Sequence, residues 1–600
     1  MRVCAVVADV PAIERPFHYT IPEALDASVV VGSVVRIGLH GRRVRGWVRA
    51  LDVTPEVARE RLRPLLGVAS VGPPVEVIEL CEWAARRFVG SLVPLLRAAS
   101  PANNVAPSSS GTALAMRPGA PLAGATLDAE GADVVWWPPL HDRRAQVASL
   151  LAGDGSSIVV TADPSRADAL VAALRVNGWP ALAWHSDLVA AARTDAWRRA
   201  ARGGCVVVGG RTAVFAPVPD LRAGVVVDDL DEALQEERQP TWHARAVLAE
   251  RCAPAPRRLT ILSPLPSVAA LHRASRVVTP APDVMAAGWP RVEVVDLGDE
   301  PPGTGLLSGA LGQALHAHVE RDELAVCLLN RRGRARLLYC AACRGLSRWD
   351  REGSPLVDHA GPLVVLGVRP SLCLHCGASK PRLLRAGVDR IGDDVGRLLG
   401  RDVRVGVVDA TVAAPDAEAH VLVGTEALLH RPEVRRRRPA FVALLDFDQE
   451  LLAPRLRADE QARWLAARCA LLLAGRPRSA SRMLIQTHLP SHPVVRAVRD
   501  AAIVAAQRDD LVECERRNLP PFVAQALVSG DAPAVDAVCA GIALVLGPAA
   551  TIKGPSSEGT KRRALIEHGD ADVLTAAFAD VAVAARLVGR LRIEMDPARA

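Results

Sequence analysis

Lysine is nearly missing from this 600-residue chain, which carries it only at Lys380, Lys553 and Lys561. Positive charge is therefore arginine, and the formal net charge of +7 permits an acidic partner such as nucleic acid without demanding one. A GC-rich coding bias accounts for the arginine preference just as well. Aromatic residues, at 3%, are too scarce for a surface built on many stacked bases. There is no uncharged apolar run of the roughly 18 residues that would span a bilayer, which argues against a membrane partner. The opening stretch Met1–Val10 breaks at Pro11 without a sustained apolar core or a cleavage site, so secretion is disfavoured and a cytoplasmic location expected. In that compartment the twelve cysteines read as reduced thiols or metal ligands rather than as a disulfide framework.

What is present suggests several domains, since the length allows about four at roughly 150 residues each. Residues 1–100 begin with short apolar segments, Arg2–Ala8, Val29–Ile37 and Val44–Leu51, followed by a helical pattern over Val75–Val89. That is a β-rich unit. Residues 101–131 open with a Pro/Gly/Ser/Ala-rich stretch and read as a linker. Beyond them, buried runs alternate with helical patterns: Asp133–Trp137, Ser157–Thr161, Cys205–Gly209, Gly224–Asp229 and Leu259–Ser263, then Leu324–Leu329, Val403–Val408, His420–Gly424, Phe441–Asp446 and Arg482–Thr487. Continuous valine-rich strands separated by helices imply parallel sheets covered on both faces. The expectation is an α/β multidomain chain with two doubly wound lobes, at 132–285 and at 286–337 plus 380–515. Residues 338–379 interrupt the second lobe, and a small α+β domain occupies 516–600.

The interrupting segment contains Cys340-Ala-Ala-Cys343 and Cys373-Leu-His-Cys376. A two-residue gap lets both thiolates of a pair face one ion, and two pairs complete a tetrahedral Cys₄ zinc shell. The long separation between the pairs costs little, because loop-closure entropy grows only logarithmically. His375 and His359 rank below the thiolates as ligands. The other cysteines, Cys4, Cys81, Cys205, Cys252, Cys327, Cys469, Cys514 and Cys539, sit in apolar contexts and are expected in cores.

Tandem α/β lobes invite a search for a phosphate loop, and no G-x-x-x-x-G-K-[ST] occurs. After the strand Asp133–Trp137 the chain reads Pro138-Pro139-Leu140-His141-Asp142, where two prolines withhold two amide donors from any anion. Asp228 and Asp229 close the strand Gly224–Asp229 as vestigial acids, with no further ATP-binding residues expected.

Taken in order, Pro16-Phe17-His18-Tyr19-Thr20-Ile21-Pro22-Glu23, Val207–Pro217, Val226-Val227-Asp228-Asp229, Trp242-His243-Ala244-Arg245, Leu328-Leu329-Asn330-Arg331-Arg332-Gly333, Met483–Thr487 and Pro520-Pro521-Phe522 resemble the PriA family of primosomal replication-restart proteins across nearly the whole chain. The departures resemble actinobacterial members with degenerate helicase motifs. The coupling motif is altered to Leu262–Ser267, and the arginine motif is reduced to Leu472–Arg478 with Gly475 and Arg476 kept. The family's inner zinc pairs are replaced, which implies one zinc ion per chain, on Cys340, Cys343, Cys373 and Cys376. The winged helix of the family has little room in 101–131.

The resemblance implies a replication-restart factor that binds abandoned or stalled forks and promotes primosome assembly and reloading of the replicative helicase. Expected partners are forked and single-stranded DNA, primosome and replicative helicase components, and single-stranded-DNA-binding protein. The degenerate motifs lead to the expectation that the chain is no enzyme, with an ATP-dependent 3′→5′ helicase as the alternative. The resemblance also implies a pocket for the 3′ end of a strand, with Phe17, His18 and Tyr19 in its aromatic run and Gly41 and Arg63 completing it. The plainer reading is that Phe17 and Tyr19, alternating on a strand, face a small core.

Overall fold

The computed structural model describes residues 2–597 except 12, 14, 108–113, 302–303, 330–335, 341–345, 350–354, 357–380, 384–387, 409–413 and 559–560. Of the expected zinc ligands, Cys343, Cys373 and Cys376 lie outside the described residues, and Cys340 is described only as the end of a strand.

The N-terminal unit is a six-stranded sheet of β1 (Val3–Ala8), β2 (Phe17–Thr20), β3 (Val34–Leu39), β4 (Arg42–Leu51), β5 (Arg63–Pro64) and β6 (Gly67–Ser70), in the order β5-β2-β1-β4-β3-β6. Alternation sorts its side chains: Cys4, Val6, Tyr19, Val35, Ile37 and Val48 fill a small core on one face. On the other, Val7, Val34 and Trp47 join a larger core with the helices Val75–Arg87 and Val93–Ala99. The strand expected to begin at Val29 begins at Val34. Gly32 turns there at φ +91°, and an added Cβ would run into the Pro73 carbonyl.

Residues 101–131 contain no helix or strand among the described residues and run along the first lobe, where Trp179 Nε1 donates to the Ala120 carbonyl at 3.0 Å. That lobe is a wholly parallel sheet of β7 (Val134–Trp136), β8 (Ser156–Thr161), β9 (Ala181–Trp184), β10 (Val206–Gly209), β11 (Leu221–Val227), β12 (Arg258–Ser263) and β13 (Val277–Val278). Its order is β13-β7-β12-β11-β8-β10-β9. Reversals of strand order open crevices at the carboxyl ends of such strands, which is where Asp228 and Asp229 emerge from β11.

The second lobe is parallel as well. It is built from β14 (Arg291–Asp296) and β15 (Ala325–Leu328), then, beyond the inserted segment, from four further strands. The insertion contributes β16 (Arg336–Cys340), β17 (Leu346–Trp349), β18 (Pro355–Leu356) and β19 (Pro381–Leu383), a small antiparallel sheet. The lobe continues with β20 (Val405–Val408), β21 (Val421–Gly424), β22 (Phe441–Leu444) and β23 (Arg482–Thr487), in the order β14-β23-β22-β15-β21-β20.

The chain ends in β24 (Ala524–Asp531), the helix Ala532–Leu546, β25 (Ala550–Glu558), β26 (Lys561–His568), the helix Ala571–Arg586 and β27 (Leu591–Met595). The order β25-β26-β24-β27 interleaves two βαβ units, a split-βαβ arrangement. The helical stretch Ala532–Ala549 is long and apolar enough by length and composition to cross a membrane. Here it lays Ala534, Val535, Val538 and Ile542 on the sheet. Of the eight described cysteines outside the inserted segment, all but Cys514 are buried, and burial pushes the thiol of Cys205 up to about 11. Inert core thiols explain this.

Candidate nucleic-acid interface and interlobe cleft

On β2, the register with β1 sets Cys4 opposite Tyr19, Ala5 opposite His18 and Val6 opposite Phe17. Tyr19 and Phe17 therefore face the small core, Tyr19 buried at 4% exposure and Phe17 half-buried against it. The Tyr19 hydroxyl donates to the Gly38 carbonyl at 3.1 Å, and burial raises its phenol above the usual range, with Arg63 working the other way. His18 lies on the opposite face, where its Nδ1 accepts from the Glu56 amide at 3.3 Å. Arg63, in β5, pairs directly with Tyr19 across the parallel ladder.

Gly41 is the exposed tip of the β3–β4 hairpin, in the left-handed region at φ +77° that a non-glycine residue rarely adopts. The glycine brought to Tyr19 and Arg63 is Gly38 instead, since a Cβ there would lie 4.0 Å from Arg63 Nη1. A glycine inside a strand signals close approach, and that cue at Gly38 was available in the sequence. Arg15, whose guanidinium carbon sits 5.9 Å from the centroid of the Phe17 ring, had no such cue.

The cleft between the lobes begins at the turn after β7. The Leu140 amide there donates to the Gly288 carbonyl at 3.0 Å, and its carbonyl accepts from the Gly475 amide of the second lobe at 3.2 Å. Asp228 is buried at the end of β11 with φ +61°, a strained conformation of the kind that collects at functional sites. Its Oδ2 accepts from Arg143 Nη1 at 2.7 Å and from Arg166 Nη1 at 3.3 Å. Burial, followed by repulsion from Arg143, pushes the Arg166 guanidinium down to about 10.

Asp229 is buried and held differently. Its Oδ1 accepts from the Ser267 amide at 3.1 Å, its Oδ2 accepts from the Ser267 hydroxyl at 2.5 Å, and Arg245 Nη1 lies 3.7 Å away. Burial raises this carboxyl above the ordinary aspartate range, and Arg245 and the Ser267 bonds oppose that. The neighbouring His243 caps the helix Ala244–Cys252 through Nδ1 and is driven down to about 3 by burial, so it stays neutral.

The second lobe closes onto this arrangement. Glu460 accepts from the Val268 amide at 2.7 Å and from Gln507 Nε2 at 2.8 Å, while Gln507 Nε2 also donates to the Pro266 carbonyl at 3.0 Å. Arg435 forms an ion pair with Asp163 across the cleft and donates to the Ser165 hydroxyl at 3.4 Å. Arg468 pairs with Glu426 at 3.0 Å.

Arg476, the arginine singled out in the reduced motif, points elsewhere. Its guanidinium donates to the Arg438 carbonyl at 2.8 and 3.0 Å. Arg435 and Arg468, which no spacing rule marked, are among the second lobe's arginines near the cleft, with Arg455 and Arg457 beside Leu230 and Glu232 of the first lobe.

The coupling segment is altered in sequence, and Ser267 within it bonds Asp229 while Val268 and Pro266 tie it to the other lobe. One expectation needs correction: the chain cannot be read as a non-enzyme. Two parallel lobes are present, Asp228 and Asp229 are held at the cleft between them, and a missing sequence motif is not a missing activity.

Residues 5–101 match the family described as "3'DNA-binding domain (3'BD)" of PriA. The chain is 29% identical over 580 residues to a "Probable replication restart protein PriA" of Mycobacterium tuberculosis strain H37Rv, covering 88% of this chain and 86% of that one. A protein of the same description from Mycobacterium leprae is 28% identical over 581 residues, covering 88% and 87%. Among solved structures, RecG bound to a three-way DNA junction aligns with 62% of this chain and 45% of its own, at 8% identity and a TM-score of 0.35, a likeness that carries no functional argument.

Proposed function

Because this chain belongs to the PriA family of replication restart proteins, we propose that it binds abandoned or stalled forks at the 3′ end of a strand and promotes primosome assembly and reloading of the replicative helicase in the cytoplasm. The observation that carries this reading is the match of residues 5–101 to a 3′ DNA-binding domain, with Tyr19 and Arg63 drawn to Gly38 and Phe17 on the same face of β2 as Tyr19. A half-buried aromatic edge and an exposed guanidinium suit a terminal nucleotide, since the ring offers its face to a base and the arginine neutralises the adjacent phosphate.

The proposal includes one zinc ion on Cys340, Cys343, Cys373 and Cys376. Four thiolates in two C-x-x-C pairs are a complete tetrahedral donor set, which would staple the inserted segment without an open coordination position. Forked and single-stranded DNA, primosome components and single-stranded-DNA-binding protein are the proposed partners.

A second reading, ATP-driven unwinding, is favoured by Asp228, Asp229 and Ser267 remaining assembled at the cleft. The test is affinity for a model fork ending in a 3′-hydroxyl or a 3′-phosphate, with ATP turnover followed alongside. Tighter binding of the 3′-hydroxyl fork, weakened by Arg63→Gln, is expected. Equal affinity for both ends in both proteins would refute the pocket. Fork-stimulated turnover that Asp229→Asn reduces at least tenfold would establish the second reading beside the first.

A further inference from the structure

The β3–β4 ribbon carries an arrangement that costs stability unless something neutralises it. Arg36 and Arg45 face each other directly across the antiparallel ladder, and Arg43, two residues further along, faces Gly38 on the same side. Like charges directly opposite on a sheet repel. Arg63 brings a fourth guanidinium to Gly38 from β5. All four arginines are exposed, and none makes an ion pair or side-chain hydrogen bond among the described residues.

Two carboxylates that touch β4 are already engaged. Asp9, whose amide donates to the Arg45 carbonyl, pairs with Arg97 at 2.7 Å, and Glu82 pairs with Arg49. The segment leading to β5 adds exposed Arg59 and Arg61 against Glu56 and Glu60. Arg36, Arg43, Arg45 and Arg63 thus have no carboxylate partner among the described residues.

We propose that the outward face of the β3–β4 ribbon, which adjoins the 3′-end pocket at Gly38 and Arg63 but is formed by Arg36, Arg43 and Arg45, is a second nucleic-acid site that takes the phosphate backbone of duplex DNA. The inference rests on the fork-binding reading above and specifies which part of the fork this face holds. Residues two apart on a strand stand about 6.8 Å apart, which is close to the through-space separation of consecutive phosphates on one DNA strand. Arg43 and Arg45 therefore match neighbouring phosphates, with Arg36 beside Arg45.

Base stacking is not the mode of binding. Trp47, the ribbon's aromatic residue, is 3% exposed and faces the helices, so the surface can read phosphates but not single-stranded bases.

The test uses the full chain and a blunt duplex with 3′-phosphate ends, which removes the contribution of a free 3′-hydroxyl. Affinity is measured from 50 to 200 mM salt for the wild type, for Arg36→Gln and for the triple variant Arg36→Gln/Arg43→Gln/Arg45→Gln. Each lost phosphate contact flattens the log K against log salt plot by about 0.9, so the triple variant should lose about 2.7. Over that salt range the wild type should then weaken about 40-fold more than the triple variant.

Discrimination between 3′-hydroxyl and 3′-phosphate forks should be unchanged, which separates this face from the pocket. Arg36→Gln alone, a removal of repulsion that leaves the sheet intact, should flatten the slope by about 0.9. Unchanged slopes would overturn the proposal, as would a variant that binds DNA normally but no longer binds phosphatidylserine vesicles. A wild type that reads 3′ ends but ignores the blunt duplex would overturn this site alone. A wild type that binds neither would overturn the fork reading as well.

Discussion

Asp163 holds two elements at once, and separating its two tasks gives a measurable coupling between the lobes. Its Oδ1 caps the helix Pro164–Val176, accepting from the Ser165 amide at 2.8 Å and the Arg166 amide at 3.4 Å. Its Oδ2 pairs with Arg435 of the second lobe. Side-chain exposures of 12% and 15% make this a largely desolvated pair. Asp163→Ser keeps the cap, because serine is as good an N-cap as aspartate, but strands a buried guanidinium. Breaking one side of a buried pair costs about 3–5 kcal/mol, and the residual exposure places this case near 3. Arg435→Met should cost about 1.5 kcal/mol, since Asp163 keeps its capping bonds and Arg166 lies 3.9 Å away. The double variant removes both charges and fills the space with an apolar chain, so it should fall within about 1 kcal/mol of the wild type. The coupling is therefore about 3.5–4.5 kcal/mol. A single global unfolding energy is ill-defined for a multidomain chain, so the assay is native-state hydrogen exchange at Ser165, Arg166 and Val268, the amides at the lobe boundary. Additive single variants, with coupling below about 0.5 kcal/mol, would show that the ion pair does not fasten the lobes.

Asp446, buried beside Asp448 and Glu450, is pushed up to about 7, chiefly by burial and then by Asp448. The native state binds the proton more tightly than the unfolded chain does, so stability of the second lobe should fall as pH rises from about 4 to about 7 and level off above. Asp446→Asn should flatten that profile and raise stability at pH 8 by about 2 kcal/mol, and an unchanged profile in thermal unfolding would contradict it. Metal analysis of the purified chain should return one zinc ion, lost in Cys373→Ala while the parallel sheets keep their exchange protection; two ions, or full occupancy in the variant, would refute the ligand set. Tyr19→Phe removes the donor that satisfies the Gly38 carbonyl and should destabilise the N-terminal unit by about 1 kcal/mol, read as faster amide exchange in β2 and β3.

The strands most legible in the sequence were those buried on both faces. Val206–Gly209, Val421–Gly424 and Phe441–Leu444 are buried at every position, so a continuous apolar run was their direct signature. Arg291–Asp296 carried no continuous apolar run because it is an edge strand, in which Val295 is its one buried position. Such a pattern does not stand out beside neighbouring loops. Ala181–Trp184, the opposite edge of the first sheet, is only four residues long. At the candidate sites, the buried strand pattern marked Asp228 and Asp229, and the resemblance supplied Phe17, His18, Tyr19, Gly41 and Arg63. It did not separate Gly38 from Gly41, since both lie near the hairpin; the position of Gly38 inside the strand was the one cue, and in the fold the Tyr19 hydroxyl and Arg63 both meet Gly38. Arg435 belongs to a run of arginines in which no local rule marks one for the cleft; its partner Asp163 lies 272 residues earlier.

The N-terminal unit is not a loosely tethered DNA reader. Trp47 Nε1 donates to the Ser100 hydroxyl at 2.9 Å, and Trp197 Nε1, from the first lobe, donates to the Ala99 carbonyl at 2.9 Å. Val77, Cys81 and Leu96 share one hydrophobic core with Val214, Phe215 and Leu248 of that lobe. At its other flank, Arg87 pairs with Asp596 and Arg586 donates to the Val89 carbonyl at 2.7 Å, which fixes the unit to the C-terminal domain. Packed interiors transmit displacement rather than absorb it. A DNA end seated near Phe17 and a duplex arm held on the β3–β4 ribbon would therefore have a set orientation to the cleft where Asp229, Ser267 and Glu460 join the two lobes. On the proposed reading the arginine-rich face would orient the fork arm and the pocket would register its end, while the cleft lies one continuous core away.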